Sequence, residues 1–559
     1  MVSSLMPLIR TSMDGSPADD FADAGLRYAS HGLENKPDGS SAALKDLFAP
    51  LHTLLLGGGD ARLAVDSTSG LNAYGCSALP TDAATGFSSS TATPISSRAF
   101  KRAAAAREAL MQSALADGLD QAFDARMDAL REELKAQLGL KSGEVVFSAS
   151  GTDGQLQALF LTRALLGSAL TTIVVAADQT GSGTALTCRG LHFGDATSNG
   201  IKVRKGEPVC RQAGAVSSIS LPLRNENGDI GSRAERDGLV VNAVERAIAA
   251  GGNILLQVMD SSKLGWRSPS DRCVLDIVAR WPGRVQVVVD ACQMRSSRKR
   301  IAAYLERGYL VLLTGSKYFT GPAFSGALLV PAALGDAIDA VGPTMPQLGE
   351  YCTRSDWPKR WPALRAQFSS RPNFGLWLRW EAALEEMRAY YAIPESFRRT
   401  ALASLGEGIA RLVAASPSLR LLPQQRDPID PGIDNDELLL PTIFAFTLEQ
   451  HGSAISLDRC KAIHGALARD ISLTADAAET AAPSHLVGQP VGWHLADGRS
   501  IAALRLCIAA RHVSECWSAD AGIARRNLRA ALDRVATVIG QLDAQLGQNP
   551  PIQEPSHAN

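Results

Sequence analysis

The sequence predicts an α/β fold: a large domain built on a mostly parallel sheet covered by helices on both faces, followed by a smaller C-terminal α/β domain. Over residues 145–330, short β-branched and apolar runs alternate with segments long enough for helices. These runs are short and largely apolar, which is typical of parallel strands buried on both faces. A second, shorter series of helices and strands follows residue 372.

The composition is that of a folded and nearly neutral protein. The 559 residues are 45% hydrophobic and 20% charged, with a net charge of −1. This charge balance leaves no basic surplus for a phosphate backbone, so nucleic acid is not expected as a partner. No apolar run reaches the ~18 residues of a membrane span, so no membrane association is expected. The nine cysteines form no C-x-x-C pair, which argues against a structural zinc site and against a disulfide framework. A reducing cytoplasm is therefore the expected compartment.

The domain organisation follows from shifts in composition and periodicity along the chain. Ala, Gly, Ser and Asp dominate the N-terminal part, which is predicted to be an arm with one short helix. A strongly helical stretch opens the large domain, and a polar stretch with three prolines closes the chain as a predicted disordered tail. The predicted segments are the arm 1–95 with its helix 42–56, the large domain 96–370 with its opening helical stretch 96–138, the small domain 371–547 with its connecting helix, and the tail 548–559.

The predicted strands of the large domain end in residues that can carry chemistry. These strands are 145–147, 171–177, 254–258, 285–289, 310–313 and 327–330. After the fifth comes Thr314-Gly315-Ser316-Lys317. In open α/β sheets, ligands bind outside the carboxyl ends of the strands. A lysine at this edge, beside apolar sequence, can lose its proton and act as an amine nucleophile, although an isolated Ser-Lys pair is more often a surface feature.

Three further features support a site at this edge. Asp290 directly follows the strand 285–289, and Gln293 lies one turn later. The stretch 147–153 runs from a strand into a helix through small and hydroxyl residues, which indicates an anion site at a helix N-terminus or a simple N-cap. The strand 171–177 leads into the Gly-rich loop 178–183, which is either part of the site or an ordinary connection.

Together these motifs resemble the fold-type I pyridoxal-phosphate enzymes, and most closely the class V aminotransferase and cysteine desulfurase superfamily. The resemblance covers residues 100–545 and rests on the order of an S-G-T turn, D-x-x-Q, a strand ending in T-G-S-K, then G-P and S-G-A-L. It implies a seven-stranded-type sheet, pyridoxal 5'-phosphate as the cofactor, an amino acid or oxo acid as the substrate, and a homodimer with its active sites at the subunit interface.

The resemblance also implies residue roles. Lys317 would form the Schiff base and move the proton at the substrate α-carbon, Asp290 would pair with the pyridinium nitrogen, and Gln293 would hydrogen-bond the phenolic oxygen. The implied phosphate ligands are Gly151, Thr152 and Thr314. Thr180 or Gln179 occupies the place where the family stacks a His, and Ser316 replaces the His that precedes the lysine in desulfurases; both are departures. The segment 87–91 resembles the one that approaches the active site in this family.

The C-terminal domain contributes one predicted substrate residue. Arg505, in Ala503-Leu504-Arg505-Leu506, resembles the family arginine that binds the substrate carboxylate, with Arg511 as an alternative. A surface ion pair is the competing interpretation for either side chain.

The sequence therefore predicts a pyridoxal-phosphate enzyme that transaminates an amino acid. Transamination is preferred because it needs no acid for a leaving group, and because the interval 472–501 holds no cysteine of the kind desulfurases use as a sulfur acceptor. The alternatives are a carbon–sulfur or other β-elimination lyase and, less favoured, a non-catalytic cofactor-binding regulator or scaffold. The segment 1–95 lacks the basic recognition helix that such a regulator would need.

Overall fold

The first sheet has seven strands and is mostly parallel, as predicted. A computed structural model describes residues 39–80, 85–211, 216–425, 437–469 and 485–548. The strand order is β2-β8-β7-β6-β5-β3-β4, and β8 runs antiparallel to both of its neighbours. In chain order these strands are β2 (Glu144–Ser148), β3 (Leu170–Val175), β4 (Ser217–Leu221), β5 (Asn253–Met259), β6 (Val285–Asp290), β7 (Leu310–Thr314) and β8 (Gly326–Val330).

A second, six-stranded sheet lies in the C-terminal part of the chain and takes its edge strand from the N-terminal part. Its order is β1-β12-β13-β10-β11, with β9 paired to β10, and β1 runs parallel to β12. The strands are β1 (Thr85–Phe87), β9 (Leu419–Leu421), β10 (Ile443–Gln450), β11 (Ser453–Ala454), β12 (His485–His494) and β13 (Ser500–Cys507). The chain after β1 is thereby held close to both sheets.

The helices surround both sheets. The α-helices are Gly39–Leu47, Leu51–Leu56, Ser97–Asp117, Leu119–Leu138, Gly151–Leu166, Thr184–Thr187, Arg233–Ala249, Asp271–Arg280, Arg298–Glu306, Ala332–Val341, Pro362–Arg365, Phe374–Tyr391, Glu395–Ala415, Leu457–Arg469, Ala510–Cys516 and Ala521–Gln548. Short 3₁₀ helices occur at Ala61–Leu63, Ala177–Gln179, Pro346–Glu350, Arg354–Asp356 and Glu437–Leu439. None of the helices in these described ranges combines the length and apolar character that a bilayer crossing requires.

Two predicted helices are each broken once. The helix expected over 42–56 is interrupted at Pro50, which precedes the second helix and has no N–H to continue the first. The helical stretch 96–138 divides at Gly118, whose φ of +79° is left-handed backbone that a glycine adopts without strain. The two antiparallel helices that result pack against the buried helix Phe374–Tyr391, which carries Trp377 and Trp380 without solvent exposure.

Several strands escaped the sequence prediction because they lack an apolar run. β4 is Ser-Ser-Ile-Ser-Leu at the sheet edge, and β12 contains Gly and Pro with a register shift against β13. The described residues cluster as one compact unit. The boundaries predicted at residues 95 and 370 stay predictions. Residues 1–38 of the predicted arm and 549–559 of the predicted tail lie outside the described residues.

Candidate functional site

The carboxyl ends of β2, β3, β5, β6 and β7 share one edge of the large sheet, because all five strands point the same way. Along this edge, Asp290 at the end of β6 lies beside β7, whose last residue is Thr314. Lys317 follows three residues later. Its flanking residues, Ser316 and Tyr318, are buried, whereas Lys317 keeps part of its surface exposed. The tertiary structure therefore brings the predicted lysine and carboxylate to adjacent strand ends.

The Lys317 ammonium has few neutralising partners. Its Nζ donates to the main-chain oxygen of Thr91, in the segment after β1 that the sequence resemblance had assigned to the site. Burial, with the nearby charge of Lys263, lowers the pKa of Lys317 to about 8, and Cys292 opposes this shift. A lysine with this pKa holds a useful fraction of neutral amine near neutral pH, which a nucleophile requires.

Asp290 is oriented by amide donors. Its Oδ1 accepts a hydrogen bond from the main-chain N–H of Cys292 (3.2 Å), and its Oδ2 accepts one from Nε2 of Gln257 on β5 (3.3 Å). Burial raises the pKa of Asp290, while these hydrogen bonds oppose the rise. Gln257 is itself held by a relay, since its Oε1 accepts from Gln155, whose own Oε1 accepts from the hydroxyl of Thr187. This relay aims the Gln257 amide N–H at Asp290.

The predicted phosphate turn begins the helix Gly151–Leu166. Ser150 is its N-cap and accepts a hydrogen bond from Asp153 N–H (3.3 Å). The first N–H groups, at Gly151 and Thr152, have no acceptor within the helix, as at any helix start. A Cβ on Gly151 would meet the Cys292 sulfur at 2.4 Å, so the turn and the chain after β6 touch.

Two further contacts join this turn to its surroundings. The Thr314 hydroxyl donates to the Cys292 carbonyl oxygen (2.8 Å), so two of the predicted phosphate ligands, Gly151 and Thr314, both contact Cys292. A Cβ placed on Gly183 would come within 2.7 Å of the Thr152 methyl group. The Gly-rich loop therefore packs on the turn.

The loop 178–183 brings in a residue that sequence reasoning missed. Thr180 donates its hydroxyl to the carbonyl of Ala177 (2.8 Å), and its own carbonyl accepts from Nζ of Lys263 (2.6 Å). Neither Thr180 nor Gln179 is aromatic, and the described contacts assign no ring-stacking role to either. Burial and the charge of Arg505 lower the pKa of Lys263 to about 8, against the opposing charges of Asp290 and Asp178.

Arg505 lies in the second sheet, on β13, and reaches the same space. Its Nη2 donates to the Thr91 hydroxyl (3.0 Å) and to the Gln489 carbonyl, and its Nη1 donates to the Lys263 carbonyl (3.5 Å). These acceptors are all uncharged, and Nε has no acceptor among the described residues. Burial lowers the pKa of Arg505 to about 10. The structure thus holds a buried guanidinium that no described carboxylate neutralises.

Arg511, the alternative to Arg505, already has a carboxylate partner. Arg511 forms an ion pair with the fully buried Glu386 (3.4 Å) and donates to the carbonyls of Pro94 and Thr320 (3.0 Å each). A guanidinium with these partners stabilises the fold at the junction of four segments. Arg505 remains the candidate for binding a substrate carboxylate.

Gln293 is buried one turn after Asp290. Its Nε2 donates to the Ser90 carbonyl oxygen (3.0 Å), and its Oε1 has no hydrogen-bond partner among the described residues. The side chain is therefore anchored to the segment after β1 while one polar atom stays unpaired.

Sequence reasoning missed Lys263, Cys292, and the relay of Gln257 and Gln155. Lys263 could have been found, because it follows the end of β5 as Lys317 follows the end of β7. The relay gave no signal, since two glutamines 102 positions apart show no pattern until the helix and β5 pack together.

Comparison with known proteins gives structural similarity alone. No family model and no curated protein matches the chain. Among solved structures, 713 chains match. One is a NifS-like protein (12% identity, 82% of this chain and 99% of that chain, TM-score 0.47). Another is the Oryza sativa protein TDC with PLP (14% identity, 93% and 92%, TM-score 0.48). A third is the cystine C-S lyase C-DES with its product cysteine persulfide (14% identity, 81% and 97%, TM-score 0.43).

Proposed function

We propose that this protein is a pyridoxal-phosphate-dependent enzyme acting on α-amino acids, with Lys317 as the amine that holds the cofactor. One observation carries the proposal: Lys317 and Asp290 lie at the ends of adjacent strands, β7 and β6, beside the helix start at Gly151. The resemblance in sequence motifs supports it. When bound, this cofactor supplies an electron-withdrawing ring that delocalises the charge left at the substrate α-carbon.

The donors and acceptors present fit the parts of this cofactor. The unpaired N–H groups at Gly151 and Thr152, with the positive end of the helix dipole, suit a phosphate. A side chain at position 151 would collide with the Cys292 sulfur. Only glycine therefore leaves this backbone open to a phosphate. The carboxylate of Asp290, steadied by two N–H donors, suits a protonated ring nitrogen.

Each residue then has a chemical task. Asp290 keeps a proton on the ring nitrogen, because a buried carboxylate strongly favours a cationic partner. The Lys317 amine removes the proton at the substrate α-carbon and returns it. Arg505 binds the substrate carboxylate through its planar fork. The second sheet, through Arg505, and the segment after β1, through Thr91, contact residues at this edge and reduce its exposure to water, which strengthens these charge interactions.

We propose transamination as the reaction, because it requires only Lys317 as the proton carrier. β-Elimination is the second candidate, and the position of Lys263 favours it. An ammonium with a pKa of about 8 at the site can give its proton to a leaving group. A homodimer in a reducing cytoplasm is also proposed, because the nine cysteines form no C-x-x-C pair.

The test is the visible absorbance of the purified protein loaded with pyridoxal phosphate. Wild type should show the band of the lysine-bound cofactor, Lys317→Ala should lack it, and Lys141→Ala, which changes an exposed lysine, should retain it. An amino-acid panel then separates the reactions. Conversion to the amine form of the cofactor, reversed by an oxo acid, indicates transamination, whereas release of an oxo acid and ammonia indicates elimination. Cofactor binding that survives Lys317→Ala unchanged and without turnover would favour the scaffold alternative.

A further inference from the structure

We propose that the preferred substrates are amino acids that carry a second acidic group, and that Lys263 is the residue that recognises it. This inference rests on the proposed function and names the substrate class of the same site. It follows from where Lys263 is anchored and from which charges at the site remain without a counter-ion.

Lys263 is anchored beside the residue proposed to bind the α-carboxylate. Its carbonyl accepts from Nη1 of Arg505 (3.5 Å), and its Nζ donates to the Thr180 carbonyl (2.6 Å). Arg505 in turn contacts the Thr91 hydroxyl, while the Thr91 carbonyl accepts from Lys317. Three cationic side chains are therefore tied to one space through Thr91 and the main chain at Lys263.

Among the described residues, no carboxylate forms an ion pair with Lys263. In the proposed function, Lys317 holds the cofactor, Asp290 pairs with the ring nitrogen, and Arg505 binds the α-carboxylate. Asp178 is the other nearby carboxylate, but its oxygens already accept from Leu223 N–H (2.6 Å) and the Gln179 amide (2.9 Å). Lys263 is left with one carbonyl as its hydrogen-bond acceptor among the described residues.

A partly buried ammonium with an uncharged partner is unfavourable unless it loses its proton or gains an anion. The lowered pKa of Lys263 reports this cost in the unliganded protein. A carboxylate, sulfinate or phosphate on the substrate side chain would supply the missing charge. The cofactor phosphate would find donors in the N–H groups of Gly151 and Thr152 at the helix start, which would leave Lys263 available.

The experiment compares pairs of ligands that differ in the charge of the side chain. Equilibrium constants are measured by absorbance titration of the loaded protein with aspartate against asparagine, glutamate against glutamine, and phosphoserine against serine. Wild type should bind one acidic ligand about 10- to 100-fold more tightly than its neutral partner. Lys263→Met should lose this preference, so that it binds the acidic and the neutral ligand of a pair with affinities within about 2-fold of each other. Lys263→Arg, which keeps the charge, should retain most of the preference.

A second titration separates substrate recognition from cofactor binding. Unloaded wild type and Lys263→Met are titrated with pyridoxal phosphate and with pyridoxal, which lacks the phosphate. If both proteins show a similar difference in affinity between pyridoxal phosphate and pyridoxal, the proposal is supported. If that difference disappears in Lys263→Met, then Lys263 binds the cofactor phosphate and the inference is overturned. Equal binding of acidic and neutral ligands by wild type, or a preference that survives in Lys263→Met, also overturns it.

Failure of the proposed function gives a different result. If wild type takes up neither pyridoxal phosphate nor pyridoxal, both proposals fall together. If it takes up the cofactor and favours neutral amino acids, only the assignment of Lys263 falls. Thermal unfolding of Lys263→Met and Lys263→Arg, measured beside wild type, confirms that the compared proteins are folded.

Discussion

The neutral fraction of the Lys317 amine provides a direct test of the site electrostatics. Burial and the charge of Lys263 lower the pKa of Lys317 from 10.5 to about 8. At pH 7 a lysine with a pKa of 8 is ~9% neutral, whereas one with a pKa of 10.5 is ~0.03% neutral. Lys317 should therefore react about 300 times faster than an exposed lysine of equal intrinsic nucleophilicity. Its reaction rate should rise with pH and reach half of its maximum near pH 8.

Lys263→Met should shift the pH profile of Lys317 to higher pH. Removing a neighbouring positive charge makes the protonated form of Lys317 less unfavourable, so its pKa should rise by about one unit. Burial, the larger cause, remains, so the pKa should stay below 10.5. The neutral fraction at pH 7 should then fall about 10-fold.

The assay is competitive reductive methylation of the cofactor-free protein over a range of pH, with mass spectrometry of the labelled peptides. Each lysine is measured separately, which matters because Lys263 should also titrate near pH 8. Lys141, which is exposed, serves as the internal reference. A half-maximum for Lys317 above pH 10, or no upward shift in Lys263→Met, would refute the reasoning about its environment.

Three further predictions concern the packing of the site. Gln257→Leu removes the amide donor to Asp290, so the free energy of unfolding should fall by about 1–3 kcal/mol in urea titrations; an unchanged midpoint would contradict the relay. Gly151→Ala should weaken binding of pyridoxal phosphate, because its Cβ meets the Cys292 sulfur at 2.4 Å, and adding Cys292→Ala should restore part of the loss; simple additivity would argue against this contact. Arg379→Met removes the donors to four main-chain carbonyls and should expose the chain before residue 95 to limited proteolysis, whereas an unchanged digestion pattern would mean that other contacts hold it.

The sequence predicted the strand ends well because they combine two local signals. Asp290 and Lys317 each follow a short apolar run, and chemistry-bearing residues at such points gather at one edge when the strands are parallel. Two of the strands that were missed, β4 and β12, are polar or interrupted and are formed by pairing with their neighbours. Their side chains alone do not distinguish them from loops.

The candidate site was predicted in part for the same reason. Arg505 could be named from its strand, but the choice between it and Arg511 required the tertiary structure, in which Glu386 neutralises Arg511 and leaves Arg505 with uncharged acceptors. Lys263 was overlooked because its importance depends on its distance from other charges, which the order of residues does not contain.

The sequence by itself determined the α/β class and the mostly parallel direction of the central strands, and it predicted the lysine and the carboxylate at the ends of those strands. These follow from periodicity and from local turn chemistry, both of which act within a few residues. Only the tertiary structure decided which of the two arginines lacks a carboxylate partner among the described residues. It also decided that the Gln257 amide donates to Asp290 and that Lys263 lies at the site. Those outcomes depend on burial and on contacts between segments more than 400 residues apart, such as the hydrogen bond between Thr91 and Arg505, which spans 414 positions. Such contacts exist only once both sheets have packed.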